Sequence, residues 1–166
     1  MNFNYTFNVV LYNPQIPPNT GNIIRLCRNT GSRLYLIKRL GFSMNDKSLK
    51  RAGLDYGEYK NIVIYDTFNA FLKNTNFNRF YLVTKFGKLS YEKPKYQFGD
   101  CFIFGSEING LSNEVYQSLK KSERIFIPMM KGNRSINLAN AVSVCVYEAW
   151  KKNLFKTSWL ESKHHF

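Results

Sequence analysis

Three short polar segments carry the residue types that chemistry needs. The first is Asn19-Thr20-Gly21-Asn22-Ile23-Ile24-Arg25, small polar residues followed by a cation. It predicts a turn feeding a helix N-terminus, where free N–H groups can hold an anion; Arg25 projects one turn further in. Ordinary helix capping is the competing reading. The second is Phe104-Gly105-Ser106-Glu107-Ile108-Asn109-Gly110-Leu111, two glycines around an acid after an apolar run. Ligands of α/β proteins collect at the carboxyl ends of strands; a plain glycine turn is the alternative. The third is Ile127-Pro128-Met129-Met130, then Asn133-Arg134-Ser135-Ile136-Asn137-Leu138-Ala139-Asn140. It reads as a strand end and a polar loop entering an apolar helix, or more plainly as a loop with asparagine caps. Each segment alone is weak, but three strand-end loops in one small chain can line one pocket.

Other chemistries lack their parts. Both histidines, His164 and His165, lie at the end of the sequence, so a Ser-His-Asp triad, a Cys-His pair and a histidine-rich metal site have no central group. The three cysteines, Cys27, Cys101 and Cys145, are far apart, which argues against a disulfide framework or structural zinc and for a reducing cytoplasm. No two glycines stand two residues apart, so the dinucleotide fingerprint fails. The Gly105–Gly110 spacing matches a phosphate-binding loop, but Leu111 stands where its lysine belongs.

These segments need elements to position them. Phe7–Tyr12 predicts a first strand. Asn13 to Gly21, with three prolines, predicts irregular chain, and a helix follows from Asn22 to Asn29, stopped by Gly31. Strands are expected at Leu34–Lys38, Ile62–Tyr65, Arg79–Thr84, Cys101–Phe104 and Arg124–Ile127. Short helices are expected at Lys47–Ala52 under an Asp46 cap, at Thr67–Lys73, and from Ser112 to Leu119. Asn137–Lys152 predicts a last helix that is apolar nearly all round, hence covered on more than one side; the second cover is either a central core or another subunit. Strands alternating with helices predict an α/β domain on a mostly parallel sheet flanked by helices. Runs such as Val9-Val10-Leu11 suit strands covered on both faces. The reading is one domain over residues 1–152, with 153–166 a tail free to fray.

The 166 residues carry 24 Lys+Arg against 11 Asp+Glu, a formal charge of +13. That surplus points to a polyanion, nucleic acid before an anionic membrane. The cations are spread from Arg25 to Arg134, as on a folded basic face. With 44% apolar residues there is a core to bury. No apolar run reaches membrane-spanning length, and Met1 to Tyr5 has no signal-type character, so a cytoplasmic protein without membrane contact is expected.

In order and spacing, N-T-G-N-I-x-R, G-x-E-x-x-G-L and I-P-M…S-x-N-L-x-N-A resemble the three motifs of the SpoU/TrmH-like branch of the SPOUT RNA methyltransferases. Leu11-Tyr12-Asn13-Pro14, Ala52-Gly53-Leu54-Asp55-Tyr56 and Val146-Tyr147-Glu148-Ala149-Trp150 narrow the resemblance to the minimal YibK-like members, tRNA 2′-O-methyltransferases of the anticodon wobble nucleotide. The match runs over roughly residues 7 to 152. It implies a C-terminal trefoil knot, a homodimer through the Asn137–Lys152 helix, S-adenosyl-L-methionine as cofactor, the tRNA anticodon stem-loop as partner, and no metal. The implied cofactor residues are Val83, Thr84, Gly105, Glu107, Gly110, Ile127, Met129, Ser135 and Leu138. The implied catalytic residues are Arg25, Asn19, Ser135, Asn137 and Tyr147.

The implied reaction moves a methyl group from a sulfonium to a ribose hydroxyl, and alignment supplies much of the rate. The family assigns Arg25 to the attacking hydroxyl. A guanidinium holds its proton strongly, so Arg25 reads better as a phosphate ligand or a stabiliser of the developing alkoxide than as a base, a role open to it only under strong burial. Where relatives tend to read F-G-P-E-T-R-G, this chain has Ser106 and a neutral Asn109, which removes a cation from the second loop. Two rival readings are a 2′-O-methyltransferase acting on another tRNA or rRNA site, and a non-catalytic basic RNA-binding factor on the same fold.

Overall fold

The computed structural model describes residues 5–44, 62–77 and 79–157. Its strands are β1 (Asn8–Tyr12), β2 (Arg33–Ile37), β3 (Ile62–Tyr65), β4 (Phe80–Val83), β5 (Leu89–Ser90), β6 (Cys101–Phe104) and β7 (Glu123–Phe126). Its helices are α1 (Pro17–Asn29), α2 (Phe68–Asn74), α3 (Asn113–Ser118) and α4 (Leu138–Lys152). The strands form one sheet in the order β3-β2-β1-β6-β4-β7-β5, and every pairing is parallel. This is the α/β architecture expected from the sequence.

The register decides where ligands can bind. Leu11 of β1 and Val83 of β4 both sit beside Phe104 of β6, and Val83 also faces Ile125 of β7. Four strands therefore end level, and the segments beginning at Asn13, Thr84, Gly105 and Ile127 leave from one edge. The central strands β1 and β6 are almost wholly buried. On one face Val9, Leu11, Phe102 and Phe104 join Ile23 and Cys27 of α1 and Val142, Cys145 and Val146 of α4. On the other, Val10 and Ile103 join Phe68 and Phe71 of α2 and Val115 of α3.

The start of α1 corrects the sequence expectation. Residues 17–21 are helical, not irregular, with Pro17 and Pro18 in the first two positions. A proline there gives up an N–H that has no intrahelical partner anyway, and its fixed φ suits the helix. The N–H groups of Asn19 and Thr20 already donate to the Ile16 carbonyl, at 3.1 and 3.3 Å. The expected anion-holding turn at Asn19–Asn22 is therefore absent, and Arg25 lies in the third turn rather than one turn beyond a loop. Gly31 does follow the helix, at φ +65°.

Smaller differences lie mostly at the ends of elements. Strands β2 and β7 each begin and end one residue earlier than expected, which puts Lys38 and Ile127 in edge loops. Thr67 and Asn137 cap α2 and α4 with their side chains. Ser112 occupies the cap position of α3 but makes no capping bond; its hydroxyl is 3.0 Å from the Tyr12 hydroxyl instead. The two-residue strand β5 exists only through pairing with β7, a long-range contact that no local pattern announces. The Asp46-capped helix and the Ala52–Tyr56 motif lie outside the described residues. Residues 153–157 fold back on α4: the Trp150 indole donates to the Lys156 carbonyl at 2.8 Å, and its ring meets Phe155. Among the described residues no helix is long and apolar enough to cross a membrane.

Candidate active site

The segment after β6 is closed on itself. Ser106 and Gly110 exchange backbone bonds of 3.1 and 2.9 Å, and the Ser106 hydroxyl accepts the Asn109 N–H at 3.0 Å. A Cβ on Gly105 would stand 2.1 Å from the Gly110 carbonyl carbon, so only glycine lets the loop return so tightly. Gly110 itself sits at φ +65°.

That closure aims Glu107 back across the sheet edge. Its carboxylate accepts the N–H of Gln15 at 2.9 Å, the N–H of Ile16 at 3.2 Å, and the Asn19 side-chain amide at 3.0 Å. Helix α1 has no acidic residue in its first turn, and Ile16 in its cap position offers no side-chain acceptor. Glu107, some ninety residues away, supplies the negative charge that the helix N-terminus attracts. Hydrogen bonds to an ionised group contribute about 1.5–3 kcal/mol each, so this carboxylate is a principal tie between the two segments.

The tie extends to the third segment. Asn19 is buried and spends its side-chain oxygen on the Asn137 amide, at 2.9 Å. The Asn137 oxygen in turn accepts the N–H groups of Ala139 and Asn140 at the start of α4. Glu107, Asn19 and Asn137 thus form one chain of bonds through all three polar segments, each satisfied on both sides.

The loop after β7 behaves differently. From 131 to 137 every residue is exposed, and within 127–136 the one backbone bond among the described residues runs from Asn133 to the Met130 carbonyl. Met129, Met130 and Ile136 are exposed apolar residues here, as is Ile108 of the neighbouring loop. Exposed apolar side chains beside backbone groups not used by the sheet offer a surface on which the apolar part of a ligand can lie.

A SpoU rRNA methylase family profile matches residues 6–147. The chain belongs to this family. A tRNA (cytidine(34)-2′-O)-methyltransferase of Methylovorus glucosotrophus (strain SIP3-4) is 48% identical over 149 residues, covering 90% of this chain and 97% of that protein. A solved structure described as giving insights into the 2-OH methylation of C/U34 on tRNA matches with a TM-score of 0.81 at 38% identity, covering 90% of this chain and 92% of that one. The SpoU methyltransferase AviRb from Streptomyces viridochromogenes, in complex with the cofactor AdoMet, shares the fold with a TM-score of 0.78 at 21% identity, covering 93% of this chain and 60% of that one.

Within this SpoU methylase the structure brings some of the expected site residues together and leaves others apart. Asn19, Glu107 and Asn137 meet directly. Val83, Thr84, Gly105, Gly110, Ile127 and Met129 lie at or just beyond the ends of three neighbouring strands, β4, β6 and β7, while Ser135 is on the open loop and Leu138 opens α4. Arg25 stands apart, on the exposed face of α1 with Asn22 and Arg28, about 9 Å along the axis from Asn19 at 1.5 Å per residue. Tyr147 is 44% exposed on the outer side of α4, its ring against Trp150. Glu107 turns its oxygens toward α1, and the space in front of Gly105 is filled by its own loop.

Sequence reasoning missed Gln15, whose backbone N–H reaches Glu107 and whose side chain donates to the carbonyls of Asn13 and Arg39 at 2.7 and 3.1 Å. It also missed the hydroxyl of Tyr116, which donates to Thr84 Oγ1 at 3.0 Å and braces the end of β4. Neither carries a local signal, since both act across the fold. All three cysteines are buried, and burial pushes their thiols well above the usual range, so none is poised as a nucleophile.

Proposed function

We propose that this chain methylates the 2′-oxygen of the ribose at the wobble position of the tRNA anticodon, nucleotide 34, using S-adenosyl-L-methionine. The observation that carries the reading is the Glu107–Asn19–Asn137 chain of bonds, which joins the three motif segments of a SpoU methylase at one sheet edge. The near relative that bears this activity in its name supports the target nucleotide.

The cofactor, when bound, supplies a methyl group activated by a positively charged sulfur. Val83, Thr84, Gly105, Gly110, Ile127, Met129 and Leu138 would hold it, mostly through backbone groups and apolar contact, with Ser135 between it and the ribose. The Glu107 carboxylate is committed to three N–H groups and serves by locking the loops in place. Arg25, a permanent cation, stabilises the ribose oxygen as that oxygen becomes anionic, or grips its phosphate. Such stabilisation at the developing charge is worth about 3 kcal/mol.

The working form is a cytoplasmic homodimer joined through α4, with a knotted C-terminal region. Strand β7 lies between β4 and β5, although residues 84–88 have already joined those two strands earlier in the chain; this supports threading. The outer side of α4 carries half-buried Val144 and exposed Tyr147, whereas Val142 and Val146 are wholly buried within the one chain. Val144→Glu is therefore the substitution that reads the dimer by sedimentation, and Val142→Glu reads the monomer core. Incubating the enzyme with methyl-labelled S-adenosyl-L-methionine and either tRNA or rRNA tests the activity. Label is expected in tRNA, and label in rRNA alone would overturn the reading.

A further inference from the structure

Among the described residues Phe86 is the one exposed phenylalanine, and the residue is 74% exposed. It sits between Lys85 and Lys88 on the segment that crosses β7 from β4 to β5. That segment is built, not loose. The Thr84 N–H donates to the Ile125 carbonyl at 3.0 Å, Gly87 N–H to Thr84 at 3.0 Å, and Lys88 N–H to Arg124 at 2.9 Å. Thr84 Oγ1 accepts the Phe86 N–H at 3.3 Å and the Tyr116 hydroxyl at 3.0 Å. Gly87 passes so close to β7 that a Cβ would stand 2.4 Å from the Ile125 carbonyl carbon. The fold thus clamps the backbone on both sides of Phe86 while leaving the ring in water.

We infer that Phe86 is a stacking platform for an unpaired base of the RNA substrate, next to the nucleotide that is methylated. This rests on the reading of the chain as a tRNA methyltransferase. Single-stranded RNA loops splay bases that stack on aromatic side chains, and such stacking is indifferent to sequence because every base has a flat face. The surroundings select a polyanion. Lys85 Nζ lies 5.2 Å from the ring centroid, and Lys131 and Arg134 stand exposed on the loop that continues from β7. The crossing segment touches β7 at Ile125 and Phe126, immediately before Ile127 opens that loop, so a base on Phe86 is held beside the reacting ribose. An aromatic ring that only packed against protein would not be clamped facing outward.

The test measures binding of a fluorescein-labelled RNA hairpin with the tRNA anticodon arm's sequence, at fixed salt, alongside methylation kinetics on tRNA. Phe86→Ala is expected to weaken hairpin binding and raise KM for tRNA by about tenfold, with kcat within about twofold. Phe86→Trp should restore both, and a blunt RNA duplex, offering no unpaired base, should bind wild type and Phe86→Ala alike. Unchanged hairpin affinity in Phe86→Ala would overturn the inference. So would a matching loss of S-adenosyl-L-methionine affinity by calorimetry, which would assign the ring to the cofactor's adenine, or dissociation to monomers, which would make it an interface residue. If the wild type methylates no tRNA yet Phe86→Ala still weakens the hairpin, the stacking site stands and the functional reading falls.

Discussion

The two ends of the parallel sheet use the same residue types to opposite effect. At the amino end most polar groups are matched inside the protein, the buried Arg33 Nε at the start of β2 being an exception. Arg79 forks onto Asp100 at 2.8 and 2.6 Å, and Asp100 also accepts the Gln97 N–H at 2.8 Å. The Ser32 hydroxyl bonds to those of Thr6 and Thr30, and the Thr6 hydroxyl meets the Thr30 carbonyl. A cavity of about 490 Å³ lies at this end, lined by Arg79, Tyr81, Lys121 and Glu123 among others, yet no motif residue reaches it. At the carboxyl end Glu107, Asn19 and Asn137 are matched too, but around them stand exposed Ile108, Met129 and Met130 and the cations of the edge loops. Volume does not single out the candidate site; a matched polar frame beside exposed apolar side chains does.

The largest effect is expected at that frame. Glu107→Ala removes three charge-assisted bonds and leaves the start of α1 without its negative cap. It should lower unfolding free energy by about 4 kcal/mol and abolish methylation, measured by denaturant titration and by activity on the folded fraction. Retained activity would show that the frame does not position the site. Next comes Arg25→Ala, expected to slow methyl transfer about a hundredfold, roughly 3 kcal/mol, with cofactor affinity unchanged. Arg25→Lys sharpens this: recovery with lysine favours charge, and no recovery favours the planar two-pronged contact.

The amino end should respond in the other currency. Asp100→Ala is expected to cost about 2 kcal/mol of stability, the half-exposed Arg79 finding water in part, while kcat per folded molecule stays at the wild-type value. A fall in kcat at temperatures where the variant is folded would break the separation between the two ends. The smallest effect is the thiols: a colourless disulfide reagent should label none of the three cysteines in the native protein and all of them in denaturant.

How much of this was legible depended on where the determining contact lies. Ile62–Tyr65 and Cys101–Phe104 were read to the residue because each is an apolar run bounded by residues that end strands. The start of α1 departs from its sequence pattern because Pro17-Pro18 reads as a breaker, although the first turn is where proline costs a helix least. β5 was missed because two residues hold no period. The site divides the same way. Asn19, Glu107 and Asn137 are legible one by one, and their three segments can be read as lining one pocket, but the bonds that join them span 88 and 118 residues of chain and no local pattern announces them. The reach of Glu107 to the N–H groups of Gln15 and Ile16, which makes it a cap for α1, belongs to the fold alone.

The central claim is that this edge methylates the wobble ribose. The most direct measurement is mass spectrometry of nuclease-digested tRNA, drawn from cells lacking the enzyme and incubated with it and S-adenosyl-L-methionine. The account predicts a gain of one methyl group on the ribose of nucleotide 34, absent with Arg25→Ala. Methylation at a different nucleotide, or on a base, or none at all with folded enzyme, would contradict it.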